Sequence, residues 1–220
     1  TWEITKYCNQ KCKPCYVCGG GARELSLKEG LSLIDALSSS GSLYMTFTGG
    51  EPFLRRDELK SWALKAQENS MAVTIFTNGT LISEEDTSWL KDLSPLSIHI
   101  SLFSANAGIH DNITGSRGSF QKTLAAIERL CWLGQQVVIK TLLLKENFNE
   151  TKSIIKLAKA MGAQWSFDPV VTPREDGSKD VLSFRLDKAQ IESIFEDVRD
   201  SYESKFKANT KDEFLCLAGT

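Results

Sequence analysis

At 220 residues, 41% of them apolar and 25% charged, the chain has the composition of a globular protein built around one sizeable core. Its 26 basic and 28 acidic residues leave a net charge of -2, with no Lys/Arg run to grip a phosphate backbone, so nucleic acid is not an expected partner. Apolar stretches such as VVIKTLLL are broken by charge and too short for a bilayer, and no charged region followed by an apolar one opens the chain; a soluble cytoplasmic protein without a membrane partner is expected.

The first strand is expected at 2 to 5 (WEIT), followed by CNQKCKPCYVC, which packs four of the six cysteines into the span 8 to 18. Ser26 and Glu29, spaced as a capping box, open a helix over 26 to 39 with Leu27, Leu31, Ile34 and Leu37 at helical intervals. LYMTFT (43 to 48) reads as the second strand and runs into Gly49-Gly50-Glu51-Pro52, with a helix at 57 to 69. AVTIFT (72 to 77) ends in Asn78-Gly79 before a helix at 84 to 93, and SIHIS (97 to 101) ends in Ser101. A helix at 119 to 133, a strand at 137 to 144, a helix at 150 to 161, a strand at 164 to 169 and a helix at 187 to 205, N-capped by Asp187, complete the alternation. Strand and helix in turn predict a parallel sheet with right-handed crossovers, either closing towards a barrel or remaining open and doubly wound. In both architectures the site lies at the C-terminal strand ends, where the cysteine cluster, the Gly-Gly turn, Asn78 and Ser101 all fall.

Clustered thiols in a reducing compartment bind metal or carry out redox chemistry more often than they form disulfides. Cys8, Cys12 and Cys15 are spaced C-x3-C-x2-C, compact enough for one loop to present three thiolates to one centre. Structural zinc would require a fourth ligand; Cys18 is the candidate, although no second knuckle or histidine lies near it. An iron–sulfur cubane held by three thiolates instead leaves one iron open to a small molecule.

CNQKCKPCY after a strand, then TFTGGEPFLRRDEL, FTNGTLI and SIHISLFSANAGIHDNITGSRGSF, together resemble the radical SAM superfamily over almost the whole chain. The resemblance implies an α/β fold, a partial (β/α)6 TIM-type barrel of parallel strands with a 4Fe-4S cluster at its C-terminal mouth. It implies Cys8, Cys12 and Cys15 as cluster ligands, with S-adenosyl-L-methionine on the open iron. Reductive cleavage would then give a 5'-deoxyadenosyl radical that takes hydrogen from substrate, the electron coming from a flavodoxin or ferredoxin. Gly49, Gly50 and Glu51 would shape the methionine subsite, the glycines removing side chains where backbone approaches the ligand; Ser101 would contact the ribose, Asn78 would be either a further cofactor contact or only a left-handed turn residue, and Thr141 or Leu142 would lie near adenine. The sequence departs from relatives at Pro14, where they carry an aromatic residue or His. It departs again after His110-Asp111, where Thr114 stands and Arg117 is the nearest cation available to replace the family arginine.

The terminal CLAGT, with Cys216, resembles the opening of a SPASM or twitch region that binds auxiliary iron–sulfur clusters. The expected organisation is therefore a catalytic core at 1 to 205 and the start of that region at 206 to 220, the whole being a piece of a longer protein. Cys131 is expected to be a small buried hydrophobe, Cys18 a bystander, and His99 and His110 structural, with Asp111 satisfying a local turn beside His110. Asp168 and Arg174 are expected at the barrel mouth, as substrate contacts or as solvated strand-end charges. The resemblance implies a peptide or protein substrate being crosslinked, bridged by a thioether, epimerised or oxidised. Tetrapyrrole or quinone cofactor synthesis is the alternative within the family, and a non-catalytic metal- or peptide-binding module is the alternative outside it.

Overall fold

The computed structural model describes residues 1–19 and 23–209. Six strands form one sheet: β1 (Trp2–Thr5), β2 (Tyr44–Gly49), β3 (Ala72–Thr77), β4 (Ser97–Ser101), β5 (Val137–Leu142) and β6 (Gln164–Asp168). Every neighbouring pair is parallel, and the spatial order repeats the chain order from β1 to β6. A doubly wound sheet needs a point at which strand order reverses, and this sheet has none. Right-handed crossovers that always step the same way collect the helices on one face, giving an unclosed, partial barrel.

The helices are α1 (Leu27–Ser39), α2 (Arg56–Glu68), α3 (Glu84–Leu93), α4 (Ala107–Thr114), α5 (Ser119–Trp132), α6 (Thr151–Met161) and α7 (Lys188–Asn209). The Ser26 backbone N–H and hydroxyl both donate to Glu29, at 2.9 and 2.7 Å, so α1 starts at the expected capping box. Asp187 accepts the Gln190 N–H at 2.8 Å and caps α7 as expected. Two features differ from the sequence reading. The fifth strand stops at Leu142, because the buried Asn147 side chain accepts the Leu144 N–H and donates to the carbonyls of Leu142 and Phe103, turning the chain out of the sheet. The second is α4, an additional short helix that Asn106 caps by accepting the Gly108 and Ile109 N–H groups and that Gly115 ends at φ 63°.

The two faces of the sheet differ in chemistry. Met45, Phe47, Val73, Ile75, Ile98, Ile100, Val137 and Ile139 are buried in one core with Ile34, Leu59, Trp62, Leu90, Ile127 and Ile154 of the helices. Each such side chain stabilises the fold by about 1.5–3 kcal/mol. The opposite face carries Thr46, Thr74, Phe76, His99, Ser101, Lys140 and Leu142, all half-buried. Parallel strands are usually apolar on both faces. The polar inner face therefore lines the barrel interior, and the C-terminal ends of the strands open above it.

Candidate cofactor site

The loop after β1 is fastened at several points. Lys11 and Lys13 donate backbone N–H bonds to the carbonyls of Thr114 and Ile113, at 3.1 and 2.9 Å, so the cysteine loop lies against the end of α4. Gly115 permits that approach: a Cβ there would come within 2.8 Å of the Lys11 carbonyl oxygen. Between the first two cysteines, the Gln10 N–H points at the Cys8 sulfur at 3.4 Å and the Cys12 thiol at the Gln10 Oε1 at 3.5 Å. A tight turn, with the Cys15 N–H on the Cys12 carbonyl at 3.1 Å, sets the third thiol beside the second.

On the far side of Cys8 the ends of β2 and β3 close in. The Gly50 N–H donates to the Thr5 carbonyl and the Glu51 N–H to the Tyr7 carbonyl, both at 2.8 Å. A Cβ on Gly49 or Gly50 would sit 2.2 Å from those same carbonyl oxygens, and Gly49 has φ +140°. This refines the sequence reading, in which the glycines make room for a ligand: the backbone they admit is the chain's own. Glu51 is 0% exposed. Its carboxylate accepts the Phe53 N–H at 3.0 Å, the Thr77 hydroxyl at 2.7 Å and the Asn78 N–H at 2.8 Å. Burial outweighs these three hydrogen bonds and pushes the Glu51 pKa up.

Asn78 is an organising residue. Its side-chain N–H groups reach Asn9 Oδ1 at 2.9 Å and the Cys8 sulfur at 3.8 Å, its Oδ1 accepts from Thr80, and its carbonyl accepts the Thr123 hydroxyl at 2.8 Å. The left-handed residue of that turn is Gly79, at φ +76°, rather than Asn78. Ser101 ends β4 opposite Lys140 of β5, and its hydroxyl has no hydrogen-bond partner among the described residues. Leu142 packs with Cys12 on a small apolar cluster formed by Phe103, Ile113, Leu144, Val171 and Val181. Thr141 faces the other way, fully buried and donating to the Leu102 carbonyl at 2.7 Å.

Other expectations fall differently. Asp111 satisfies a local turn, but through residues seven to nine further on: its carboxylate accepts the N–H groups of Gly118 and Phe120 and the Ser119 hydroxyl, capping α5. Burial opposes that charge, but the hydrogen bonds from Phe120, Gly118 and Ser119 prevail and hold the Asp111 pKa down. His110 instead accepts the Phe103 N–H on Nδ1 at 3.2 Å, and burial lowers its pKa to about 4. His99 lies on the inner face and stacks on Phe76 with ring centroids 4.4 Å apart. Arg117 is exposed, with no ion pair among the described residues. Asp168 pairs with Lys140 across β5 and β6 at 3.5 Å rather than standing free. Arg174 does not project freely into the mouth; it donates to the Cys15 carbonyl at 2.7 Å, a contact that sequence reasoning missed. Cys131 is half-buried against the core rather than fully enclosed, and Cys216 lies outside the described residues.

The donor set suits an iron–sulfur cluster better than a single ion. Among the described residues no three His, Cys, Asp or Glu side chains converge as a single shared metal ion requires. A cubane spreads its ligands, one thiolate to each of three irons. Burial above all, with the neighbouring sulfurs of Cys15 and Cys8 acting the same way, raises the pKa of Cys12 to about 12, so a cationic centre is what would draw this thiol into the thiolate form. Gln10 Nε2 is buried without an acceptor among the described residues, a spare donor on the residue between two of the thiols that fits a sulfide or thiolate.

Fold and site together define a cofactor-binding (β/α) barrel domain with its chemistry at the C-terminal strand ends. The Radical SAM superfamily profile matches residues 2–158, and the chain belongs to that superfamily, whose members are enzymes that bind a 4Fe-4S cluster and S-adenosylmethionine. An AdoMet-dependent heme synthase from Methanosarcina barkeri is 34% identical over 185 residues, covering 82% of this chain and 53% of that protein. The mycofactocin maturase MftC of Mycolicibacterium smegmatis is 32% identical over 168 residues, 74% of this chain and 42% of that protein. Streptococcus suis SuiB shares the fold, with a TM-score of 0.76 at 16% identity over 92% of this chain and 46% of that one. The chain thus spans about half the length of the relatives it matches.

Proposed function

We propose that this chain is the catalytic core of a radical S-adenosylmethionine enzyme in which Cys8, Cys12 and Cys15 hold the 4Fe-4S cluster. The observation that carries this reading is the meeting of the three-thiol loop with the Gly49-Gly50-Glu51 turn at the mouth of a polar-lined barrel. Bound there, the cluster would supply the electron that cleaves S-adenosylmethionine to a hydrogen-abstracting 5'-deoxyadenosyl radical. The protein's part is placement. Glu51 holds the β2 and β3 ends together rather than touching the cofactor, since its carboxylate is enclosed. Asn78 fixes Cys8, the free Ser101 hydroxyl meets the ribose, Leu142 offers an apolar wall to adenine, and exposed Arg117 is the cation for the cofactor carboxylate. Cys18 remains outside the ligand set.

Substrate class has two supported readings. The 34% likeness to a heme synthase, over 82% of the chain, favours a tetrapyrrole. The 32% likeness to a mycofactocin maturase, over 74%, favours a peptide. Family membership sets the non-catalytic module aside. Anaerobic reconstitution with iron and sulfide, followed by dithionite and S-adenosylmethionine, should release 5'-deoxyadenosine; a fully clustered protein that forms none would defeat the proposal. Deuterated porphyrin and deuterated peptide, offered separately, then decide the class by which label enters 5'-deoxyadenosine.

A further inference from the structure

The segment between β6 and α7 returns to the cysteine loop. Arg174 donates from one guanidinium nitrogen to the Cys15 carbonyl at 2.7 Å and from another to the Lys13 carbonyl at 3.3 Å. Asp180 fixes the other edge of the same guanidinium, at 2.9 and 3.0 Å. The tight turn between them, with the Gly177 N–H on the Arg174 carbonyl and the Arg174 N–H on the Ser178 carbonyl, brings the two side chains together. The next residue extends the seam: the Glu175 N–H reaches the Tyr16 carbonyl at 3.0 Å, and its carboxylate holds Lys6 at 2.8 Å. Arg174 lies beyond the 2–158 region that matches the superfamily profile, so this seam is supplied by a part of the chain outside the matched motifs.

We infer that Arg174, oriented by Asp180, is a positioning residue that locks the Lys13–Cys15 arc and sets the reduction potential of the cluster bound there. The inference rests on the reading of Cys15 as a ligand. A planar guanidinium offers several donors in fixed directions, so one side chain can hold two carbonyls and a carboxylate at once. Fixing the carbonyl of a ligand residue fixes the direction of its thiolate, as outer partners do at metal sites generally. One electron from a donor adds one negative charge to the cluster, and a fixed cation at the ligand backbone favours that reduced form.

The test uses Arg174→Gln, Arg174→Lys and Asp180→Asn in the same chain. In metal-free protein, hydrogen exchange of the Cys15 amide should speed up at least several-fold in Arg174→Gln and less in Arg174→Lys, while the β3 and β4 amides, which report folding, stay protected. In reconstituted protein, Arg174→Gln should lower the midpoint potential followed by electron paramagnetic resonance and lose iron to a chelator faster; Arg174→Lys should restore the potential but not the chelator resistance. Asp180→Asn, which keeps the cation but frees it, should speed iron loss. Unchanged Cys15 exchange together with an unchanged potential in Arg174→Gln would overturn the inference and leave the site reading intact. Failure of wild-type protein to assemble any cluster would overturn both.

Discussion

The Glu51 side-chain carboxyl group accepts the backbone N–H of Asn78 at 2.8 Å, so a buried acidic side chain ties the end of β2 to the end of β3 directly beside Cys8. An acidic side chain in a motif next to a cofactor invites a role in the chemistry, yet this one is enclosed and acts on backbone geometry. Glu51→Gln replaces one of the two accepting oxygens by an NH2 group, which then faces either the Asn78 N–H or the Phe53 N–H and Thr77 hydroxyl. It should destabilise the protein by about 1–3 kcal/mol, read by urea unfolding at neutral pH. The pH dependence has a defined sign. Because the folded-state pKa is raised above 4.5, the native state holds this proton more tightly than the unfolded chain does. The corresponding stability is present below 4.5 and is lost as pH rises through the folded value. That decline should disappear in Glu51→Gln.

Gly50→Ala should cost about 3 kcal/mol, since its new methyl would collide with the Tyr7 backbone, which cannot move without dragging the cysteine loop. Thermal unfolding of metal-free protein measures the loss. A variant with unchanged stability would show that the loop is not pressed against the Gly-Gly turn.

Asp111→Ala removes the cap of α5 and should destabilise by about 1–2 kcal/mol at neutral pH. The Asp111 pKa is held below 3.8, so its contribution is complete above that value and fades as pH falls through the depressed one. Wild type and variant should therefore converge in strong acid, a comparison that calorimetry at two pH values makes directly.

The two histidines should report the same direction of acid sensitivity. Burial depresses His99 and His110 from 6.5 to about 4, with Lys140 adding to the effect at His99. Both rings are neutral in the folded protein at neutral pH. The stability tied to that is present above 6.5 and is lost as pH falls from there towards 4. Nuclear magnetic resonance titration should show neither ring protonating near pH 6.5, so an activity limb at that pH would belong to another group.

Cluster ligation separates the cysteines. Replacing Cys8, Cys12 and Cys15 together by Ala should abolish the iron–sulfur absorbance after reconstitution, whereas Cys131→Ala should leave it intact. Cys18→Ala should also keep the cluster, and loss of iron in that variant would make Cys18 a ligand.

The helix α4 was legible in principle: Asn106, Ile109, Ile113 and Gly115 give a cap, an apolar stripe and a stop, but two turns are too few for periodicity to stand out. The end of β5 was not legible, because the run continues as Leu142-Leu143-Leu144 with no turn residue to stop it, and only the tertiary contacts of Asn147 break it. The burial of Glu51 and the grip of Arg174 left no local trace. Each depends on which strand end or loop arrives opposite, and for Arg174 the partner carbonyl is 159 residues away in the chain.

The sequence by itself determined the alternation of strands and helices, the position of the chemistry at the C-terminal strand ends and the three-cysteine loop, because periodicity, capping and thiol spacing are properties of neighbouring residues. Only the tertiary structure decided that the sheet is sequential and unclosed, that Gly49 and Gly50 make room for the chain's own backbone, and that Arg174 holds the cysteine loop. Those outcomes come from groups distant in the chain competing for the same buried hydrogen bonds and space, and such a competition has no solution until the fold brings the groups together.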